Sequence, residues 1–240
     1  MSKARPDFDQ LQASRPDFNH NAQVTFTKPP NPTWKEGDGA NDGGASLKKD
    51  HVEIDPNEEG RSVASNYKLL ISGMVPRPIA LISTKSLDGT STNLAPFSYS
   101  QDTLKNLNET GECVINIISE HFVEAANATA INAPYGVSEW ETSGLTQAPT
   151  SVVKAARVKE SILAIEAKLV EVKEFESRAV PGKKSSVLAI VEGVRFWARE
   201  DAIDEERSLI DLEVLKPISR LGGISYGRTT DAIEIPRPQF

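Results

Sequence analysis

The sequence predicts a mainly β domain, a small, curved, mostly antiparallel barrel with short flanking helices, carried behind a poorly ordered N-terminal arm. Five segments read as strands, divided by turn signals or short helical stretches. The fourth changes the phase of its apolar face partway along, as a β-bulge does, and bulges bend sheets toward closure. The first 60 of the 240 residues show no sustained period, which places the arm at 1–60 and the domain at 61–240.

The arm holds six of the 15 prolines and five of the 15 glycines, with a net charge of −4 against −3 for the rest of the chain. Phe8, Phe18, Phe26 and Trp34 stand isolated among polar residues. Arg5-Pro6-Asp7-Phe8 returns as Arg15-Pro16-Asp17-Phe18, two copies that are too few and too short for a solenoid. Lys28 to Trp34 carries three prolines and is expected to be extended, because each restricts itself and its predecessor. Gly37 to Gly44 reads as a flexible linker. Such an arm is either simply disordered or a strap whose aromatics dock on a partner subunit.

The first strand is Ile79 to Thr84, with proline confined to its entrance at Pro76 and Pro78. Asp88-Gly89 within Ser86–Ser91 is a hairpin signal, returning through Asn93 to Tyr99. Asp102 is placed to cap a helix through Leu104 and Leu107 that Gly111 stops. Cys113 to Ile118 is a short apolar strand, and Ser119 is placed to cap a helix carrying Phe122, Val123 and Ala126. Ser138-Glu139-Trp140-Glu141 has capping-box spacing, with Gly144 as the stop. Leu163, Ile165, Ala167 and Leu169 share one face before the apolar positions move to Val170 and Val172. The last strand, Val187 to Arg199, is almost continuously apolar up to Trp197.

Composition narrows the chemistry. With 27 basic against 34 acidic residues the chain carries −7, the wrong sign for coating nucleic-acid phosphates. No run approaches the roughly 18 apolar residues of a membrane span. The N-terminus has no apolar signal core, so a cytoplasmic protein is expected. A single cysteine, Cys113, excludes an internal disulfide and a Cys-cluster zinc site, and its apolar strand reads as a place for a buried small hydrophobe, with a nucleophile as the lesser alternative. His20, His51 and His121 are far apart and form no metal-ligand spacing, so no metal is expected. There is no GxSxG elbow, no GxGxxG and no P-loop. A chain with no evident nucleophile, base or metal borrows its reactivity from a cofactor. Ser91-Thr92-Asn93 at the mouth of the hairpin and the helix opening at Asp102-Thr103 are the places with donors for a phosphate. The Asp102 charge opposes an anion, which leaves Thr103 and the backbone. Each of these pieces is also ordinary at a strand start or a helix cap.

Taken in order, Pro76-Arg77-Pro78-Ile79-Ala80-Leu81-Ile82-Ser83-Thr84 and Ser91-Thr92-Asn93-Leu94-Ala95-Pro96-Phe97-Ser98-Tyr99 resemble the flavin reductase-like family, FMN-binding split β-barrel proteins that are usually homodimers. Asp102 to Asn106, Glu112 to Asn116, Glu139-Trp140-Glu141 with Gly144-Leu145-Thr146, and Pro217 to Gly223 with Tyr226 are similar to its later blocks, so that the resemblance spans about 64–237. The Lys28–Trp34 stretch resembles the N-terminal extension of fungal-type members. The resemblance implies an FMN-dependent oxidoreductase of the flavin reductase type, taking electrons from NADH or NADPH and passing them to a small-molecule acceptor. It implies that Arg77, Pro78, Ile79 and Ala80 run along the flavin, that Thr92 and Asn93 reach its ribityl chain and phosphate with Thr103 helping at the phosphate, and that Ala95 and Ser98 lie beside the ring.

One departure stands out. In the family a loop, another strand and a Gly-containing turn precede a Lys-Asp-Thr helix start; here only Ser100-Gln101 separates Tyr99 from Asp102, and Gln101 replaces the lysine. The resemblance therefore implies an internal deletion, which removes a charge-assisted phosphate contact and leaves strand edges unpaired. Two alternative readings follow: a non-catalytic, dimer-forming isoform with an incomplete flavin pocket, and a binding module acting through the aromatic arm.

Overall fold

The computed structural model describes residues 8–35, 38, 40–43, 45–97, 101–131, 134, 137–177 and 180–235. In chain order its elements are α1 (Phe8–Ala13), β1 (Thr25–Thr27), α2 (Val63–Gly73), β2 (Arg77–Pro78), β3 (Ala80–Lys85), β4 (Thr92–Pro96), α3 (Gln101–Thr110), β5 (Glu112–Ile117), α4 (Val123–Ala128), α5 (Glu139–Ser143), β6 (Gln147–Ala148), β7 (Arg157–Val158), β8 (Leu163–Glu176), β9 (Lys184–Ala198), α6 (Leu212–Leu215), β10 (Ile218–Gly222), β11 (Ser225–Arg228) and β12 (Asp231–Ile233). Two compact units result, Thr33–Thr229 and a smaller one built from Met1–Pro32 with Thr230–Phe240.

In the smaller unit β1 pairs in parallel with β12, Thr25 opposite Asp231 and Thr27 opposite Ile233. The first part of the arm thus contains a short helix and a short strand. The strand's partner comes from the other end of the chain, so no local pattern announces it.

The larger unit is an antiparallel β structure. Five strands lie in the order β4-β3-β5-β8-β9, three in the order β11-β10-β2, and β6 pairs with β7. Two seams join the larger sheets. At Ile79 the chain leaves β2, paired with β10, and enters β3, paired with β4 and β5. On the other side Ser119 bridges Pro217, and the Ile218 N–H donates to the Ile118 carbonyl at 3.1 Å. Interior strand β3 is buried on both faces, its successive side chains pointing to opposite sides of the sheet. Leu81 points into a cluster with Leu94, Ile118, Phe122, Trp140 and Ile218, and Ile82 into a second with Leu107, Cys113 and Ala167. Among the described residues no helix is long and apolar enough to cross a membrane.

The predicted strands form at the expected places, except that the second ends at Pro96, Ser98 and Tyr99 lying outside the described residues. Gly89 sits at φ +76° in the β3–β4 turn, where the Ser86 N–H donates to the Ser91 carbonyl. Ser86 and Thr90 hydroxyls and the Thr90 N–H all donate to the Asp88 carboxylate, and these bonds, Ser86 foremost, hold its pKa down at about 2. Gly111 and Gly144 end α3 and α5 in the left-handed region, which costs glycine nothing. Leu169 pairs with Val191 and Glu171 with Ile190, so Val170 is the extra residue of a bulge, at the position where the apolar pattern shifts phase.

Other expectations change. Gln101, not Asp102, opens α3, which puts Asp102 inside its first turn. Ser119 precedes a single 3-10 turn, Glu120–Phe122, before α4, and its hydroxyl makes no cap bond. Ser138 precedes α5, but its hydroxyl does not cap it either, being bonded to Thr92. The near-continuous apolar run of β9 suggests burial on both faces, yet β9 is an edge strand with Leu188, Ile190 and Phe196 exposed. Helix α2, capped by Ser62 through the Ser65 N–H, was signalled by no apolar stripe and buries no residue.

Candidate functional site

The hairpin turn fixes the register that places each predicted residue: Thr92 lies opposite Lys85, Asn93 opposite Thr84, Ala95 opposite Ile82 and Pro96 opposite Leu81. Thr92 and Ala80 are therefore at opposite ends of the hairpin, about 17 Å apart at roughly 3.3 Å per strand residue. The predicted residues fall into three groups. Ser98 lies outside the described residues.

At the seam, Arg77 and Ile79 are half-buried and Pro78 is exposed. A cation stands here beside an apolar ledge, next to a backbone that changes sheets. Ala80 and Ala95 form the second group. Both side chains are buried, and the backbone is engaged in the sheet: the Ala80 carbonyl accepts from the Phe97 N–H at 3.1 Å and Ala95 pairs with Ile82.

The third group is closed on itself. The Asn93 amide donates to both Glu139 oxygens at 3.2 and 3.1 Å, and the Leu94 N–H donates to Oε2 at 3.1 Å. The Thr103 hydroxyl donates to Asn93 Oδ1 at 2.7 Å. Thr92 and Ser138 share a hydroxyl bond at 3.2 Å. Asn93 and Glu139 are each only 4% exposed. Hence α3 and α5 are bolted to β4 through the very groups expected to receive a phosphate, and a carboxylate stands among them. Below them the Asn106 amide donates to the Thr84 hydroxyl at 3.1 Å, tying α3 to β3 as well.

Glu139 is the residue that sequence reasoning missed. Ser138-Glu139 was legible as a helix start, but the partner Asn93 is 46 positions away and nothing local links them. Arg220 was missed for the same reason. It lies on β10 directly opposite Arg77 on one side and Tyr226 on the other. Its guanidinium carbon is 4.4 Å from the Tyr226 ring centre.

Other titratable groups serve the scaffold. Burial pushes the Cys113 thiol up to about 11, which keeps it a poor nucleophile. Glu166, fully buried, accepts from the N–H groups of Ser151, Val152 and Val153 and from the Trp197 indole. His121 is exposed and bonds the Glu160 carbonyl. Near the hairpin turn a hollow of about 90 Å³ is lined by Lys85, Lys154, Glu109 and Glu112 among others. Its charges cancel, and it is small beside the roughly 300 Å³ or more of ordinary ligand pockets. Among the described residues no cluster of His, Cys, Asp and Glu is arranged to hold a metal ion.

At the seam a cation with no carboxylate ion pair among the described residues stands beside an apolar edge at a sheet junction, a combination that would suit a planar, phosphorylated ring system. The Asn93–Glu139–Thr103 end does not offer free phosphate donors.

Comparison with known proteins bears on this arrangement. A family model described as flavin reductase like domain matches residues 72–213. A protein of Halalkalibacterium halodurans is 32% identical over 204 residues, which cover 76% of this chain and 95% of that one. Among solved structures, nitrilotriacetate monooxygenase component B from Bacillus cereus has 31% identity and a TM-score of 0.68, over 80% of this chain and 98% of that one. The 2-nitrobenzoate 2-nitroreductase NbaA from Pseudomonas fluorescens has 28% identity and a TM-score of 0.67, over the same shares. A protein with a split barrel domain from Shewanella frigidimarina, at 22% identity and a TM-score of 0.59 over 75% of this chain and 93% of that one, bears out the split-barrel fold.

Proposed function

Since this chain belongs to the flavin reductase-like domain family, we propose that it is an FMN-binding oxidoreductase that takes electrons from NADH or NADPH and delivers them to a small-molecule acceptor. The observation that carries this reading is the seam itself. The Pro76–Thr84 block lies inside the matched span and turns from one sheet into the other where Arg77, Pro78 and Ile79 are accessible. Bound flavin supplies the hydride chemistry. The chain's own part is to hold and orient it. Arg77 provides a fixed charge, and Pro78 and Ile79 an apolar edge. Asn93, Thr92 and Thr103 keep the hairpin rigid from behind, through Glu139 and Ser138.

The proposed protein is a cytoplasmic homodimer. Exposed Leu188, Ile190 and Phe196, on a strand paired on one side only among the described residues, are an apolar surface of the kind that association covers. The test joins three measurements on the full chain: quenching of FMN fluorescence on titration, oxidation of NADH and NADPH with FMN present, and molecular mass in solution. Saturable quenching with cofactor-dependent oxidation is expected. A colourless protein that neither quenches FMN nor consumes either donor refutes the reading.

A second reading is favoured by the closed Asn93–Glu139–Thr103 cluster. The chain would then be a non-catalytic, dimer-forming isoform whose pocket is incomplete, the segment implied to be absent after Tyr99 having supplied both a phosphate contact and a strand. An intact dimer without flavin binding distinguishes it.

A further inference from the structure

We propose that Arg77 and Arg220 together form a phosphoryl-binding subsite for a nucleotide ligand, on the face of the three-stranded sheet that also carries Tyr226. The choice of a nucleotide rests on the flavin reductase-type reading; the anion site itself rests on the placement of the arginines. Arg220 pairs directly with Arg77 across β10–β2 and with Tyr226 across β10–β11. Directly opposed residues of antiparallel strands project from the same face, with Cβ atoms about 5 Å apart. Two like charges so placed destabilise the pair unless an anion lies between them.

Among the described residues nothing plays that part. Among the described residues no carboxylate forms an ion pair with Arg77 or Arg220. The neighbouring cation on the same sheet, Arg228, is by contrast matched by Glu120 at 2.6 Å. Arg220 is also held in position. It stacks on Tyr226 and donates from Nη2 to the Gly223 carbonyl at 2.7 Å, while the Tyr226 hydroxyl donates to Asn127 Oδ1 at 2.6 Å. A positioned guanidinium loses little entropy on binding, and its planar fork matches phosphate oxygens. Both arginines are half-buried, which strengthens such a bond relative to one in water. The other expected phosphate position, around Thr103, has the Glu139 carboxylate beside it.

Two ligands share this chemistry, the phosphate of FMN and a phosphate of the dinucleotide donor. The experiment compares the full chain with Arg77→Gln and Arg220→Gln, using FMN, riboflavin, NADH and inorganic phosphate as probes. Loss of one charge-assisted phosphate contact predicts an affinity lower by about 10–100-fold. If FMN fills the site, each variant loses that factor for FMN and keeps wild-type affinity for riboflavin. If the donor fills it, the loss falls on NADH and FMN is unaffected. In both cases inorganic phosphate competes in the wild type and ceases to compete in the variants. Should a Gln variant fail to fold by circular dichroism, Arg220→Lys decides, since a point charge on the same stem predicts a partial loss. Variants that bind every probe as the wild type does overturn the proposal. A wild type that binds neither flavin fails the flavin reading alone, and arginine-dependent binding of NADH or phosphate then still sustains the subsite.

Discussion

Replacing Glu166 by Gln changes one buried atom on β8, an interior strand of the five-stranded sheet, and the structure sets the expected cost. Oε1 accepts from the Ser151 N–H at 2.9 Å, the Ser151 hydroxyl at 3.3 Å and the Trp197 indole at 2.6 Å. Oε2 accepts from the Val152 N–H at 2.6 Å and the Val153 N–H at 2.9 Å. Gln keeps one acceptor, which goes to the oxygen with three donors, and its NH₂ then faces two backbone N–H groups. Each orphaned buried donor costs about 1–3 kcal/mol, so the variant loses about 4 kcal/mol at neutral pH. The pH dependence gives a second handle. Burial raises the Glu166 pKa, but the Ser151 N–H, the Trp197 indole and the Val152 and Val153 N–H groups outweigh it and bring it to about 2, against an ordinary 4.5. A depressed carboxyl stabilises fully above its unfolded pKa and loses that contribution as the pH falls through its folded one. The gap between wild type and variant is thus widest above about pH 5 and narrows toward pH 2. Urea unfolding followed by tryptophan fluorescence, at pH 7 and in steps downward, measures both. A gap below about 1 kcal/mol at pH 7, or one that does not narrow in acid, refutes the idea that this carboxylate is ionised and saturated with donors.

Three further outcomes follow from the same geometry. Glu139→Ala leaves the Leu94 N–H and the Asn93 amide without acceptors and is expected to lower stability by about 2–4 kcal/mol in urea unfolding, whether or not a flavin is present. Gly222→Ala places a Cβ 2.8 Å from the Ile71 carbonyl oxygen at φ +101°, so β10 and α2 must separate; a loss of about 2–3 kcal/mol, read by thermal unfolding, is expected. Cys113, 2% exposed with its thiol pushed up to about 11, is expected to resist alkylation at pH 8 in the native state and to react fully in denaturant, which mass spectrometry reads directly.

What the sequence made legible was local. The β3–β4 hairpin follows from Asp88-Gly89, the helix stops from Gly111 and Gly144, and the bulge from the shift of apolar phase at Val170, each encoded within a few residues. What it concealed was pairing at a distance. Thr92, Asn93 and Thr103 have the right chemistry for a phosphate, and only the fold reveals that Ser138 and Glu139 already use it. Ser138 shows how a local rule gives way, since its hydroxyl had two bonding options and took the cross-element one. Arg77 was visible from its motif, whereas its companion Arg220 acquires meaning only through strand register.

The edges of the five-stranded sheet constrain how the proposed homodimer forms. On β4 the Leu94 N–H is taken by Glu139, and Pro96 has no N–H at all, so this edge offers little to an incoming strand. β9 is more open: its 15 residues have β8 on one side only among the described residues, and three of its large apolar side chains face solvent. An edge of that length and composition is unstable against association unless something covers it. Phe196→Lys, at a position 67% exposed and remote from the Glu139 cluster in the strand order, is therefore expected to shift the mass in solution toward the monomer without lowering stability. A variant that keeps the wild-type mass moves the contact off β9 and leaves that apolar edge without the partner assigned to it.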